Sequence, residues 1–376
     1  MSSPFKFEVN HQAAANGPRT ATFNTPHGPV RTPAFMPVGT YGTLKGLTPD
    51  QIRATGSTMI LANAYHLHLR PGHETVRELG GLHRLMAWDG PILTDSGGYQ
   101  VFSLGHRCRI DDDGVTVKSV LDGTQVRLEP ARVMEIEAAL GADVAMAFDH
   151  CPADPTDRAQ VTAASCRTHR WLDRCVAWHR AHGGEDRGQA LFGIVQGGAF
   201  EDLRRASVEA VCAHDLVGYA VGGVSVGEDR SSMAAALAAS VPYLPADRPR
   251  YLMGVGTPRD LFDAVALGVD LFDCVTPTRH GRNHQAFTRS GKLNLRNLRW
   301  RESTAPIDED CSCYTCSHYS RGTLRHLCKA QEMLAGTLLS IHNLTFFHDL
   351  MAAMGRAIEN GGLGELRSQY AAAVEG

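Results

Sequence analysis

The sequence predicts an α/β fold, a (β/α)8 TIM barrel, from three observations. Apolar runs of strand length recur along the chain without the in–out alternation of a half-exposed sheet, as parallel strands covered on both faces require. There are eight: Ala34–Gly39, Met59–Asn63, Ile92–Asp95, Val144–Asp149, Leu191–Gln196, Tyr219–Gly223, Tyr251–Val255 and Leu271–Val275. Six of them end in a polar residue or a glycine, and a helix-like stretch follows the runs. Polar side chains gather at those ends: Asn63, Asp95, Asp149, Gln196 and Asp273. In this fold the loops after the strands build the active site. Any one of these residues also suits a helix cap or a turn; five together argue for a site.

The stretches between the runs include amphipathic helices. In Pro130–Leu140, Val133, Ile136, Ala139 and Leu140 share one face. Arg259–Leu267 is opened by Thr257 as cap and Pro258 in the first turn. Two segments interrupt the repeat. Leu104–Glu129 contains VTVKSV and TQVRLE around Asp122-Gly123, which reads as a hairpin. The segment 285–343 follows the last strand and carries a cysteine cluster. The expected organisation is one barrel domain over 1–376, with 285–343 as a subdomain inserted after the last strand.

With 376 residues, 43% hydrophobic and 20% charged, the chain can bury a large core. The net charge of −3 argues against a globally basic nucleic-acid binder, so any such surface must be local. The N-terminus has no basic region followed by an apolar stretch, and no apolar run approaches the roughly 18–20 residues of a membrane helix. Seven of the ten cysteines show no framework spacing. A reduced, cytoplasmic protein without membrane partners is expected.

Cys311, Cys313 and Cys316 follow a C-x-C-x2-C spacing, and 25 residues separate the last of them from His342. Three thiolates so close surround one ion through a tight knuckle, and a later histidine closes the tetrahedron. Cys3His is a closed zinc set with no position left for water, so one structural zinc ion per subunit is expected. Spacing alone leaves His318 and His326 as alternatives to His342.

Between Arg279 and Arg301 stand seven Lys or Arg residues and no acidic one, interleaved with His280, His284, Phe287 and Trp300. Basic groups neutralise phosphates, and aromatic and guanidinium planes stack on unpaired bases. An ordinary solvated face has the same composition, but this stretch leads from the last strand end into the cysteine segment.

The strand-end residues suit a purine. A carboxylate such as Asp149 accepts two parallel hydrogen bonds from the N1–H and exocyclic amine of guanine. The Gln196 amide and a backbone N–H can donate to its O6, and Tyr99 and Met253 can sandwich the ring. Asp95 and Asp273 remain. Two carboxylates across a glycosidic bond serve as nucleophile and proton carrier.

These motifs resemble the tRNA-guanine transglycosylases (queuine tRNA-ribosyltransferases). LANAYHLHLRPG, ILTDSGGYQVFSL, MAFDHCP, GIVQGG, YAVGGVSVGE, YLMGVGTPRDL, DLFDCVTPTRHGRN and the cysteine cluster carry the resemblance over essentially the whole chain. The resemblance implies exchange of guanine at the tRNA wobble position for a 7-deazaguanine, by a homodimeric enzyme. It implies Asp273 as the nucleophile and Asp95 as proton acceptor and donor. The base site would comprise Asp95, Ser96, Gly97, Gly98, Tyr99, Asp149, Cys151, Gln196, Gly223, Val224, Val226 and Met253. Gly254, Val255, Gly256, Thr257, Pro258, Arg259, Asp260, Thr278, Arg279, His280, Gly281 and Arg282 would meet the tRNA around that nucleotide. Cys151 and Val226 resemble the bacterial enzymes, which accept 7-aminomethyl-7-deazaguanine. His150, Val224-Ser225 and His284 depart from the bacterial pattern, which commonly has Glu, Leu-Ala and Gly there. Two other readings compete: a non-catalytic tRNA-binding subunit, which need not keep both carboxylates, and a hydrolytic glycosidase, which leaves the basic stretch unexplained.

Overall fold

All eight apolar runs become strands, and the strands pair in parallel and close into a barrel. They are β1 (Ala34–Gly39), β2 (Ile60–Asn63), β3 (Ile92–Asp95), β4 (Val144–Met146), β5 (Ala190–Val195), β6 (Gly218–Val221), β7 (Arg250–Leu252) and β8 (Leu271–Cys274). Each pairs with the next, and β8 returns to β1 with Leu271 opposite Ala34. The computed structural model describes residues 3–98, 108–224 and 230–375. Several strands stop short of the apolar run that announced them. In Val144–Asp149 the ladder ends at Met146, and the last residues of the run leave the sheet for the barrel mouth.

The barrel interior is filled by side chains, among them Met36, Leu61, Leu93, Met146, Phe192 and Leu271. Its N-terminal end is plugged by an antiparallel sheet of Lys6–Gln12, Arg19–Thr25 and Gly28–Thr32, which the sequence reading did not foresee. Phe23 of this sheet enters the interior, 5.9 Å from the Phe192 ring. The same end is tied by charge. The buried Arg19 guanidinium donates to Asp270 at 3.0 and 2.5 Å across 251 residues of sequence. Asp143, also buried, accepts from the Ile92 N–H and meets the rings of His27 and His83.

The expected helices form at Pro130–Leu140 and Pro258–Ala266, the second capped by the Thr257 hydroxyl. The hairpin around Asp122-Gly123 forms with Val115–Lys118 against Gln125–Leu128, and a third strand, Cys108–Ile110, joins it. After β8 come the helix Thr276–Arg282, a hairpin of Gln285–Thr288 and Gly291–Asn294, a 3-10 turn at Leu298–Trp300, the helices Tyr314–His318 and Arg321–Ala330, and then the helix Met333–Glu359. Ala286, Leu295, Ile307, Leu324, Leu338 and Leu339 form a small core of their own. Met333–Glu359 serves two layers. Its first turns pack into that small core, while Phe347 lies 5.1 Å from Phe35 of β1. The expected boundary at 343 therefore falls inside a continuous helix. Among the described residues no helix is long and apolar enough to cross a membrane.

Candidate active site

Parallel closure puts every strand's C-terminal end on one side. Asn63, Asp95, Asp149 and Asp273 consequently converge on one cavity of about 400 Å³, with Met253 on its wall. Gln196 lies just behind, 1% exposed.

Asp273 ends β8. Its Oδ1 accepts the Tyr251 O–H at 2.6 Å and the Gly254 N–H at 2.7 Å. Burial raises its pKa, and these two donors partly offset that by favouring the carboxylate. Burial and the neighbouring Asp273 charge drive the Tyr251 pKa well up, so the phenol remains a donor. Sequence reasoning missed Tyr251, because a tyrosine inside an apolar strand reads as core. Asp95 ends β3, where its Oδ2 accepts the Asn63 amide at 2.6 Å. Asn63 Oδ1 in turn accepts from the His66 N–H at 3.1 Å. Asn63 is thus a helix cap that also lines the cavity: capping orients the amide so that its N–H2 faces Asp95.

Asp149 is 5% exposed, and burial pushes its pKa up to about 6 against the opposing hydrogen bonds. Gln196 Nε2 donates to it at 2.8 Å, and the Cys151 thiol lies 3.6 Å away. Ser96 also hydrogen-bonds it. The backbone of Gly98 presses so close that a Cβ there would sit 1.9 Å from Asp149 Oδ1. Gly223 has φ +62, and a Cβ on it would fall 2.5 Å from Gln196 Oε1. Both glycines are demanded by close approach. Gly97 and Val224 flank these positions. Tyr99 and Val226 lie outside the described residues.

The loop after β7 passes over Asp273 through Gly254. Val255, Gly256, Pro258, Thr278 and Gly281 are buried, whereas Gly254, Thr257 and Arg279 are exposed and Arg259, Asp260, His280 and Arg282 are half-buried. Arg279 also lines the mouth. Arg289, Lys292, Arg296, Arg299 and Arg301 are all exposed. The Arg299 guanidinium stacks on Trp300 at 4.3 Å, with Arg321 at 4.8 Å from the same ring.

Two departures from the bacterial pattern gain physical content. His150 takes the Arg167 guanidinium at 3.1 Å, and burial first, then that cation, lowers its pKa to about 4. It is therefore a neutral acceptor. His284 has φ +65, the left-handed region, which explains why glycine suits this position.

Cys311, Cys313, Cys316 and His342 converge. The three sulfurs lie 3.6, 3.7 and 3.3 Å from His342 Nδ1. Ligand bonds of about 2.3 Å to sulfur and 2.0–2.1 Å to nitrogen give tetrahedral edges of roughly 3.5 Å, so the set can hold one metal ion. His342 Nε2 sits 2.8 Å from the Phe287 carbonyl, which fixes Nε2 as the protonated nitrogen and leaves Nδ1 as the ligand. His318 Nδ1 is engaged with the Tyr314 carbonyl at 2.8 Å instead.

A family model described as Queuine tRNA-ribosyltransferase matches residues 14–376. The queuine tRNA-ribosyltransferase of Synechococcus sp. (strain CC9311) is 52% identical over 357 residues, covering 95% of each chain. That of Synechococcus elongatus is 51% identical over 341 residues, 91% of this chain and 88% of its own. That of Pelotomaculum thermopropionicum is 48% identical over 370 residues, 98% and 99% of the two chains. With a family model matched over nearly its whole length and relatives about half identical across it, this chain belongs to the queuine tRNA-ribosyltransferase family.

Proposed function

We infer that this protein is a pentosyltransferase of queuosine tRNA modification, a tRNA-guanine transglycosylase that replaces guanine at the wobble position with 7-aminomethyl-7-deazaguanine. The observation that carries the residue assignment is the convergence of Asp273, Asp95 and the Asp149–Gln196 pair on one cavity.

In this reading Asp149 accepts the N1–H and exocyclic amine of the base, while Gln196 and the Gly223 N–H donate to O6. Met253 and Tyr99 stack on the ring. The Oδ2 atom of Asp273 attacks C1′ of the wobble ribose: a C–O bond forms as the C1′–N9 bond breaks and its electron pair leaves with guanine. Asp95 gives the departing base its proton. The incoming base then binds, returns a proton to Asp95, and displaces Asp273 from C1′, restoring the carboxylate. Tyr251 and the Gly254 N–H hold Oδ1 throughout, so the attacking oxygen is already aimed.

The Cys3His set would hold a zinc ion, which supplies no chemistry at C1′ and fastens the segment 285–343 to the barrel. That segment's arginines, with Arg279 and the loop 254–260, would hold the tRNA of a homodimeric, cytoplasmic enzyme. The buried members of the tRNA set would act by shaping those loops.

Labelled guanine offered with wobble-G tRNA should enter the tRNA with wild-type protein and not with Asp273→Ala or Asp95→Ala. No incorporation by the wild type would end the transglycosylase reading; release of free guanine without incorporation would indicate a hydrolase. Cys151 and Val226 support the aminomethyl base over queuine, and efficient incorporation of labelled queuine would refute that choice.

A further inference from the structure

The peptide joining Gly222 to Gly223 carries the backbone N–H assigned to the base. Its own chemistry does not settle which way it faces. Gly223 has φ +62, and Gly197 and Gly198 on the neighbouring loop have φ +136 and +57. Glycine adopts such conformations as readily as negative φ, so a glycine pair can exchange its N–H for its C=O on one face at little steric cost. A site that must present a donor needs a constraint from outside the loop.

Arg204 supplies one. It is the fourth residue of the helix Glu201–Cys212, which follows β5, and its side chain is wholly buried. Its Nε donates to the Gly198 carbonyl at 2.6 Å. Nη1 donates to the carbonyls of Val195 at 3.1 Å and Gly222 at 2.9 Å, and Nη2 to that of Gly223 at 3.3 Å. One planar fork thus ties the ends of β5 and β6, which carry Gln196 and the Gly222-Gly223 pair. A lysine, a point charge with three donors and no fork, cannot span four carbonyls. Ser207, one turn further along the same helix, accepts the Gln196 N–H at 3.0 Å, so one helix face anchors both loops.

In a trans peptide the C=O and the following N–H point in opposite directions. Gly222 and Gly223 line the cavity, and Arg204 approaches them from the helix layer behind. A Gly222 carbonyl drawn back onto the guanidinium therefore turns the Gly223 N–H forward. The Gly223 carbonyl, held on Nη2, turns the Val224 N–H the same way.

We propose that Arg204 is a positioning residue for base recognition: it locks the Gly222–Gly223 peptide with its N–H toward the cavity, and so makes the site select bases that carry a good acceptor at the O6 position. This rests on the reading of Asp149, Gln196 and Gly223 as the groups that meet the base.

The test uses Arg204→Met and Arg204→Lys in the full chain. Guanine and 6-thioguanine compete against labelled guanine in the exchange reaction. The thio analogue keeps N1–H and the exocyclic amine and replaces O6 with a poor acceptor. The wild type should prefer guanine, and the preference should fall about fivefold or more in both variants, the worth of one hydrogen bond to a buried acceptor. The affinity for tRNA should not change. A purely structural arginine would lower the melting temperature and the active fraction but leave the guanine-to-thioguanine ratio intact, since that ratio is independent of how much enzyme is active. An unchanged ratio overturns the proposal. If the Met variant does not fold, the Lys variant decides. Asp149→Ala separates the two levels. If guanine still competes at wild-type concentrations there, the base-site reading itself is wrong. An unchanged ratio at Arg204 with guanine competition lost in Asp149→Ala overturns only the role of Arg204.

Discussion

The barrel mouth and the metal cluster are built on opposite plans. The mouth draws Asn63, Asp95, Asp149, Gln196 and Asp273 from five strands spread over more than half of the chain. The cluster takes three of its four ligands from six consecutive residues, 311–316. At the mouth, desolvated carboxylates keep raised pKa values and open faces toward a cavity. At the cluster, four ligand atoms face one another and the histidine's second nitrogen is already committed to a carbonyl. The contrast separates chemistry from architecture: a reactive site holds its groups short of full satisfaction, whereas a structural site satisfies each of them.

The largest expected effect lies at the mouth. Asp273→Asn removes the proposed nucleophile while keeping the shape of the side chain. Exchange should fall by about 10⁴-fold or more, with a melting temperature close to wild type. A variant retaining a tenth of wild-type activity would move the nucleophile elsewhere and dissolve the contrast from the catalytic side.

Metal removal attacks the other side. Cys313→Ser, or chelation, should cost about 4 kcal/mol or more of local stability, because binding energy at a closed site is folding energy. Bound zinc per chain, thermal melting and tRNA affinity should decline together. Full exchange activity in a zinc-free variant would show that the cluster is not what fastens the tRNA-holding segment.

A smaller effect sharpens the electrostatic half of the comparison. Asp149 ionises at about 6 in the folded protein against 3.8 for an ordinary aspartate. The folded chain therefore binds the extra proton between these values. This group's contribution to stability is greatest below the unfolded value and is lost as pH rises through the folded one, by about 3 kcal/mol in all. On the proposed base-site reading, recognition runs the other way, since the ionised carboxylate would accept both base N–H groups. The kcat/KM for guanine should fall about tenfold per pH unit below pH 6, and Asp149→Asn should be more stable than wild type at pH 8. A flat guanine profile from pH 5 to 8 would remove Asp149 as the base-reading carboxylate.

The smallest effect concerns the turn between the two regions. His284 is held at φ +65. His284→Gly should relieve that strain and stabilise the protein by a few tenths to about 1 kcal/mol, once the entropy of glycine is deducted. Destabilisation on chemical unfolding would mean that the imidazole makes a contact worth more than the strain.

Much of this protein was legible in its residues. Parallel strands buried on both faces must be continuous apolar runs, so all eight barrel strands could be placed. Their polar ends pointed to the mouth for the same reason. The C-x-C-x2-C knuckle is local and needed no fold to be recognised. The N-terminal plug escaped because its strands mix polar with apolar residues and present no continuous apolar run, and only the open barrel end beneath them makes Phe23 and Val30 buried.

What the tertiary structure decided is partnership across long sequence separations. Spacing could not choose among three histidines for the fourth metal ligand; the helix Met333–Glu359 brings His342 Nδ1 to the sulfurs and leaves His318 bonded to its own turn. Composition could not tell that Tyr251 holds Asp273, or that Arg204 holds four carbonyls on two loops. The physical reason is the same in each case. Periodicity and spacing report what a residue does to its own strand, helix or knuckle. The direction of a donor toward an acceptor tens of residues away exists only after the barrel has closed.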